Sequence, residues 1–360
     1  MLTKNFLLKI FEAFYMERWN DKIRPMPLIE LDKQAHKMFI AYFIGKFSEK
    51  EKGFSWIEII EGGIFELLQK IVLTDIKPPI FYKIKEDKEK YEKLNEFVLN
   101  ELADLLKSVS PEFYGKFHAY FKNKKSNLNK KILSAAHIYA SKWEFDRIED
   151  LNKHSYDLDI IKKDFENSIN KFRDLEGIKQ LELNPLYKKF MDLCGQLRFQ
   201  ARWANSHRIP KTSVLGHSFF VAITVYLASL DLELNQKRKI NNFFTGLFHD
   251  LPEVLTRDIL SPIKSSVKGL DSLIKKYEKE QMEKYVHTLI PKNISLEIRF
   301  FTENEFSDVP ERDGKLVKAA DDMAAYLEAE IAIQNGCTNS AFPKALKLIS
   351  EKYKKGVLPL

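Results

Sequence analysis

The hexapeptide Phe248-His249-Asp250-Leu251-Pro252-Glu253 puts an imidazole and two carboxylates within six residues. His249 and Asp250 are adjacent near the end of an apolar helix predicted over 237–249. An ionised aspartate buried on such a helix needs a partner, and a metal ion supplies one. Neighbouring helical residues point about 100 degrees apart, so one ion serves both only beside the helix edge. Imidazole and carboxylate together favour a borderline or hard divalent cation. His217, after a glycine at the start of a strongly apolar helix, is a candidate ligand. So is Asp321 in VKAADDMAAYL, where alanines let another helix approach closely. Three helices can therefore gather His217, His249, Asp250 and Asp321 around one point. Spacing alone leaves a second reading open, a hydrogen-bonded His249–Asp250 pair beside a core histidine, and no compact ligand motif of the HExxH kind decides between them.

Other polar residues flank this set. Glu253 follows Asp250 by three positions and His249 by four, so it can face the same cavity and relay a proton or orient a water. Asp258 closes EVLTRD and can bind a substrate hydroxyl. Arg202, Arg208 and Lys264 can offset phosphate charge, and Trp203 can pack on a base or sugar. Singly, each reads as a cap, a surface ion-pair partner or a core aromatic. Around a metal they point to hydrolysis of a phosphate ester.

Helices must position these groups. The chain has 360 residues, 44% of them hydrophobic, with only 13 glycines and 13 prolines. That length favours two domains, and the scarcity of turn residues disfavours barrels and sandwiches. Apolar residues recurring at threes and fours predict helices over 3–18, 33–48, 56–72, 86–107, 111–122 and 128–147, with the Pro-Pro segment 76–80 as an interruption. In the second half the pattern predicts 184–203, 214–231, 237–249, 270–289, 293–302, 310–335 and 341–353. The expected fold class is all-α. The polar stretch 150–182 is the expected junction, giving domains 1–170 and 183–360.

The halves resemble each other. Arg18-Trp19 recurs as Arg202-Trp203, and Arg24 as Arg208. A histidine lies in the next apolar run of each half, His36 and His217. The block from Gly63 runs without a gap against that from Gly246, and KILSAAHIYASKW matches KLVKAADDMAAYL. Four blocks in one order at offsets of 181 to 184 indicate an internal duplication.

The order Arg202-Trp203, His217-Ser218, His249-Asp250-Leu-Pro-Glu253, Asp258 and Lys-Ala-Ala-Asp321 resembles the HD superfamily of metal-dependent phosphohydrolases, and within it the bacterial 5'-deoxynucleotidase branch. The resemblance covers about residues 190–335. It implies an all-helical fold, here two tandem HD-domain-like bundles, and His217, His249, Asp250 and Asp321 as ligands of one divalent ion (Mn, Co, Zn, Fe, Ni or Mg). It further implies catalysis by Glu253, a nucleotide held by Asp258, Arg202 and Trp203, and possible homodimers. The expected substrate is a nucleoside 5'-monophosphate. This chain has Gly216 where the deoxynucleotidases have a glutamate before the first histidine, and RIPKTS over 208–213 replaces their shorter lead-in. A nucleotide- or alarmone-binding regulator without turnover, or a helical interaction scaffold, are the alternatives.

Opposite His217, His249, Asp250 and Asp321, the first half is read as having His36, Glu66, Leu67 and His137. Lys70 stands opposite Glu253, and Asp75 opposite Asp258. This reads as a degenerate copy, with a residual zinc set of His36, Glu66 and His137 as the competing view. The net charge of +7 permits an anionic substrate, but lysines interleaved with glutamates, as in 85–96, predict no specific nucleic-acid binding. Cys194 and Cys337 are too few for a disulfide framework. No uncharged stretch is expected to reach the roughly 18 residues a spanning helix needs, and no leader is evident at the N-terminus. A cytoplasmic chain without a membrane partner is the expectation.

Overall fold

Short polar side chains set where the helices begin. Thr3, Ser55, Asp87, Ser110, Asn127, Asn184 and Asn235 each accept a hydrogen bond from a backbone N–H of the following turn, satisfying donors that have no partner inside the helix. Pro111 and Pro185 occupy first helical positions, where a missing N–H costs nothing. The computed structural model describes residues 2–74, 76–123, 126–259 and 267–353.

The chain divides into two compact units, Met1–Arg173 with Leu230–Leu234, and Asp174–Ser229 with Asn235–Leu360. The first contains α1 (Lys4–Phe11), α2 (Glu30–Lys46), α3 (Trp56–Leu73), α4 (Pro78–Glu86), α5 (Lys88–Val109), α6 (Pro111–Lys122), α7 (Leu128–Ile148) and α8 (Leu158–Asn170). In this unit α2 packs along α7 and against α3. Sixteen of the residues of α2, from Glu30 to Gly45, are buried, so its charged side chains must find partners inside.

The second unit contains α9 (Glu176–Leu183), α10 (Pro185–Gln196), α11 (Val214–Asp231), α12 (Gln236–Phe248), the short α13 (Glu253–Thr256), α14 (Leu270–Tyr285), α15 (Lys292–Thr302), α16 (Gly314–Gln334) and α17 (Ala341–Tyr353). Here α12 packs on α15 and α16, and α16 on α17. Among the described residues, strand structure is confined to β1 (Glu17–Arg18) paired antiparallel with β2 (Leu28–Ile29), plus isolated bridges. The described residues are thus predominantly helical.

Several boundaries differ from the sequence pattern. The first helix stops at Phe11 and the tenth at Gln196, each followed by a 3-10 turn that leads into an Arg-Trp pair. Pro78 opens a helix instead of breaking one, because its fixed φ suits the first turn. Residues 212–230 are uncharged, contrary to expectation. The helix Val214–Asp231 is long and apolar enough to cross a membrane, yet 89% of it is buried inside the protein, as a core helix would be. Apolar on all faces, it is enclosed on all faces.

Helices α11 and α12 meet at Gly246. A Cβ there would lie 2.8 Å from Ala222 Cα and 3.0 Å from Ala222 N, both backbone atoms that cannot rotate away. Gly246→Ala is therefore expected to destabilise the second unit by about 1–3 kcal/mol, read as a lower melting temperature. An unchanged melt would show that the two helices can separate freely.

The units also share local geometry at an offset of 184 residues. Glu17 pairs with Ile29 in the first, and Ala201 with Ser213 in the second. Trp19 and Trp203 both have positive φ, 55 and 57 degrees. Such values are uncommon outside glycine and mark a conformation held by its surroundings.

Candidate metal centre

His217 lies one turn into α11, four residues past the Ala201–Ser213 bridge. His249 and Asp250 follow α12, and Asp321 lies in the middle of α16. Fold and packing bring these separate positions together. His217 Nε2 is 3.0 Å from Asp321 Oδ1 and 3.6 Å from Asp250 Oδ2, while His249 Nε2 is 3.2 Å from Asp250 Oδ2. His217, His249 and Asp321 form a cluster able to hold one divalent ion, with one ligand atom from each lying within 4.8 Å of the others.

The donor set fits a metal on its own atoms. His217 Nε2, His249 Nε2 and Asp250 Oδ2 are buried and make no well-directed hydrogen bond. The other nitrogen of His249, Nδ1, is 2.8 Å from the Gly246 carbonyl oxygen. Donation from Nδ1 to that carbonyl leaves Nε2 with its lone pair aimed at the cluster, the arrangement that orients a metal-binding imidazole. Electrostatics agree. Burial opposes a charge on His249, but Asp250 and Asp321 outweigh it and push its pKa up to about 9. Burial likewise opposes ionisation of Asp250, and His249 overcomes it, bringing Asp250 down to about 2. Asp321 lies well below the usual carboxylate range; burial opposes this, and Lys318 and His217 prevail. A site that favours a proton on His249 this strongly favours a cation.

Glu328, on α16, organises the adjoining wall and was not singled out from sequence. Its Oε2 accepts hydrogen bonds from Arg202 Nε at 3.1 Å and Trp203 Nε1 at 2.8 Å, and its Oε1 accepts from Thr212 at 2.6 Å. Arg208 is also buried here, donating to Thr212 and lying 3.7 Å from Glu328. Its guanidinium is thus engaged by Thr212 and Glu328. Arg202 is turned both ways: Nε is held by Glu328, while Nη1 lies 3.8 Å from Asp250 Oδ2. The Trp203 ring packs on Phe342, centroids 5.4 Å apart, so its indole is fixed at both edges.

Glu253 opens α13, buried, with its backbone N–H bonded to the Asp250 carbonyl at 3.0 Å and its own carbonyl accepting from Gln200 at 2.7 Å. Asp258 is raised by burial and by the field of Asp250, against the opposing pull of Arg202, which places it electrostatically among the same groups. Lys264 lies outside the described residues.

The first unit repeats the framework and replaces the contents. Arg18 Nε and Trp19 Nε1 donate to Glu144 Oε2 at 2.8 and 3.0 Å, the same offset of 184 from Arg202, Trp203 and Glu328. Four residues past the Glu17–Ile29 pair, where the second unit has His217, stands Lys33. This corrects the match of His36 to His217, made by residue type. His36 is three residues further along, buried with its ring edge against Trp143 at 5.0 Å. Lys33 Nζ lies 2.5 Å from His137 Nδ1, as His217 lies against Asp321. Lys37 pairs with Glu66 at 2.6 Å, Tyr120 donates to that same carboxylate at 2.7 Å, and Lys70 bonds the Thr74 carbonyl. Among the described residues, His36, Glu66 and His137 do not converge as a metal set. Asp75 lies outside the described residues.

Burial would raise Glu328, yet Arg202 and Arg208 hold it at about 2, and Arg18 with Lys33 does the same for Glu30 against its own burial. A carboxylate depressed in the folded state contributes stability above its unfolded pKa near 4.5, and that contribution is lost as pH falls toward 2. Each group is worth on the order of 3 kcal/mol. Unfolding free energy is therefore expected to drop between about pH 4.5 and 2. A flat profile across that window would refute these pairings.

Comparison with known proteins places this geometry. A family described as HD domain matches residues 194–355, which include every group of the candidate centre. A 4'-phosphooxetanocin A phosphatase of Priestia megaterium is 30% identical over 153 residues, 41% of this chain and 74% of that protein. Two 5'-deoxynucleotidases are also similar. That of Pectobacterium atrosepticum is 25% identical over 154 residues, 42% of this chain and 76% of its own. That of Pasteurella multocida is 24% identical over 150 residues, covering 41% and 75%.

Proposed function

This chain belongs to the HD-domain family, and from that premise we propose that its second unit is a metal-dependent phosphohydrolase acting on a nucleoside 5'-monophosphate. The observation that carries this reading is the convergence of His217, His249, Asp250 and Asp321 beside the Arg202 guanidinium. These four residues would hold the ion, which when bound polarises a phosphoryl oxygen and activates water.

The chain's own groups do the rest. Arg202, fixed by Glu328 and turned toward Asp250, offers donors to a phosphate. Glu253 holds or accepts a proton from the attacking water. Asp258, raised from its ordinary value by burial and by Asp250 in the field of this site, offers a carboxyl for a hydrogen bond to a sugar hydroxyl. Trp203, fixed between Glu328 and Phe342, forms a rigid wall for the nucleoside. That relatives are by name 5'-deoxynucleotidases and a 4'-phosphooxetanocin A phosphatase supports a monophosphate substrate.

The first unit is a degenerate copy arising by internal duplication. Its support is the shared Arg-Trp-Glu arrangement, strand pairing and positive-φ tryptophan at one offset. With Lys33 where the second unit has His217, it takes no ion, and the full chain binds one.

Phosphate release from a panel of nucleoside mono-, tri- and cyclic phosphates, under several divalent metals, tests the substrate assignment. Monophosphates should be turned over preferentially. Gly216 favours a second reading, nucleotide binding without turnover. Its backbone N–H is taken by Ser213 Oγ at 2.9 Å, and it brings no carboxylate to the pocket. Tight binding with no release under any metal would select that reading.

A further inference from the structure

We infer that Lys318 is a positioning residue for Asp321, holding one carboxylate oxygen so that the other alone faces the metal. The inference rests on the metal-centre reading above.

Lys318 lies one turn before Asp321 on α16. Its Nζ is 2.7 Å from Asp321 Oδ2, and the opposite oxygen, Oδ1, is the one 3.0 Å from His217 Nε2. The two oxygens are thus assigned different neighbours. Exposed lysine–aspartate pairs at this spacing are weak and mobile, but this one is confined. Nζ also lies 2.9 Å from Asp322 Oδ1 and 4.9 Å from the centre of the Phe306 ring, which in turn lies 6.1 Å from the His249 ring. Asp322 is itself anchored from α17, accepting from Tyr353 Oη at 2.6 Å and from Lys352. A continuous series of contacts runs from α17 through Asp322 and Lys318 to the carboxylate of Asp321.

The physical consequence is a restriction on how Asp321 binds. A carboxylate with both oxygens free can chelate a divalent ion with two atoms or rotate away from it. With Oδ2 held by an ammonium, Oδ1 is the ligand and its direction is set. Single-oxygen ligation keeps coordination positions open for substrate, as a catalytic site requires. Partners that orient a ligand in this way typically influence metal affinity by 10- to 100-fold.

The test is metal binding by the full chain, measured by calorimetry or by competition with a chromogenic chelator, using Mn2+ and Zn2+ alone. Lys318→Met should weaken binding about 10- to 100-fold, while Lys318→Arg, which keeps a donor, should recover most of it. Asp322→Asn, which loosens the anchor without touching Asp321, should give a smaller loss in the same direction, and it keeps the question open to measurement if Lys318→Met fails to fold. Wild-type affinity in Lys318→Met would overturn the inference, as would failure of Lys318→Arg to recover binding. No metal binding by the unaltered chain would overturn the metal reading itself, and this inference with it; that outcome is visible before any variant is made.

Discussion

His249→Ala is expected to lower kcat/KM for phosphate release by 10^3-fold or more, equivalent to about 4 kcal/mol of transition-state stabilisation. The reason lies in the placement of this ring. His249 is fixed through Nδ1 by the Gly246 carbonyl and presents Nε2 to Asp250, 3.2 Å away. Alanine removes the ligand atom and the imidazole nearest the Asp250 carboxylate. Metal binding should fail along with turnover. Saturating metal at 100 times Kd stabilises a folded protein by about 2.7 kcal/mol, so the metal-dependent rise in melting temperature should vanish in the variant. A variant that loses turnover yet keeps that thermal shift would show that His249 acts on substrate and not as a ligand.

Glu328→Gln should give the largest loss of stability, about 3–5 kcal/mol. Glu328 is 2% exposed and faces Arg202, Arg208, Trp203 and Thr212 together. Removing its charge leaves the buried Arg208 guanidinium without its carboxylate and the half-buried Arg202 with only the more distant Asp250, and breaking a buried pair is far costlier than never forming it. The equivalent change in the first unit, Glu144→Gln, strips the charge from the partner of Arg18 and Trp19. It should destabilise that unit to a similar extent, while hydrolysis measured well below the melt stays at the wild-type rate. Chemical denaturation of both variants, with activity followed in parallel, checks the pair of expectations. Loss of turnover in Glu144→Gln without unfolding would give the first unit a direct part in catalysis.

Much of the centre was legible because its chemistry is carried by rare residues in regular surroundings. An adjacent His249-Asp250 at the end of an apolar helix stands out, and so does Asp321 among alanines. Their order along the chain carried the resemblance to the family. Glu328 and Lys318 did not stand out, since a lone acid or lysine on a helix usually faces water; only tertiary packing shows that Glu328 is buried and that Lys318 is held between Asp321 and Asp322. Glu328 had one usable signal, the recurrence of glutamate at 144 and 328 in step with the two Arg-Trp pairs.

The first half misled for a related reason. Pairing His36 with His217 matched like with like, whereas the strand pairing at Glu17–Ile29 sets the register and brings Lys33 to that place. Residue identity is a poor guide to register where the strand pairing and the neighbouring residues disagree with it. The Pro78 helix and the uncharged run 212–230 show the same dependence on context. A proline stops a helix only from the second turn onward, and an apolar helix is buried by whatever apolar surface is nearest.

On the proposed function, this chain hydrolyses a phosphate ester with one divalent ion held in its second unit. Phosphate release from nucleoside 5'-monophosphates tests it most directly. It should be measured on the full chain as purified, after chelation, after metal is restored, and in Asp321→Ala under the same metal. Release should cease on chelation, return with a single equivalent of metal per chain, and stay absent in the variant. Release that persists after chelation, or that Asp321→Ala leaves unchanged, would contradict it.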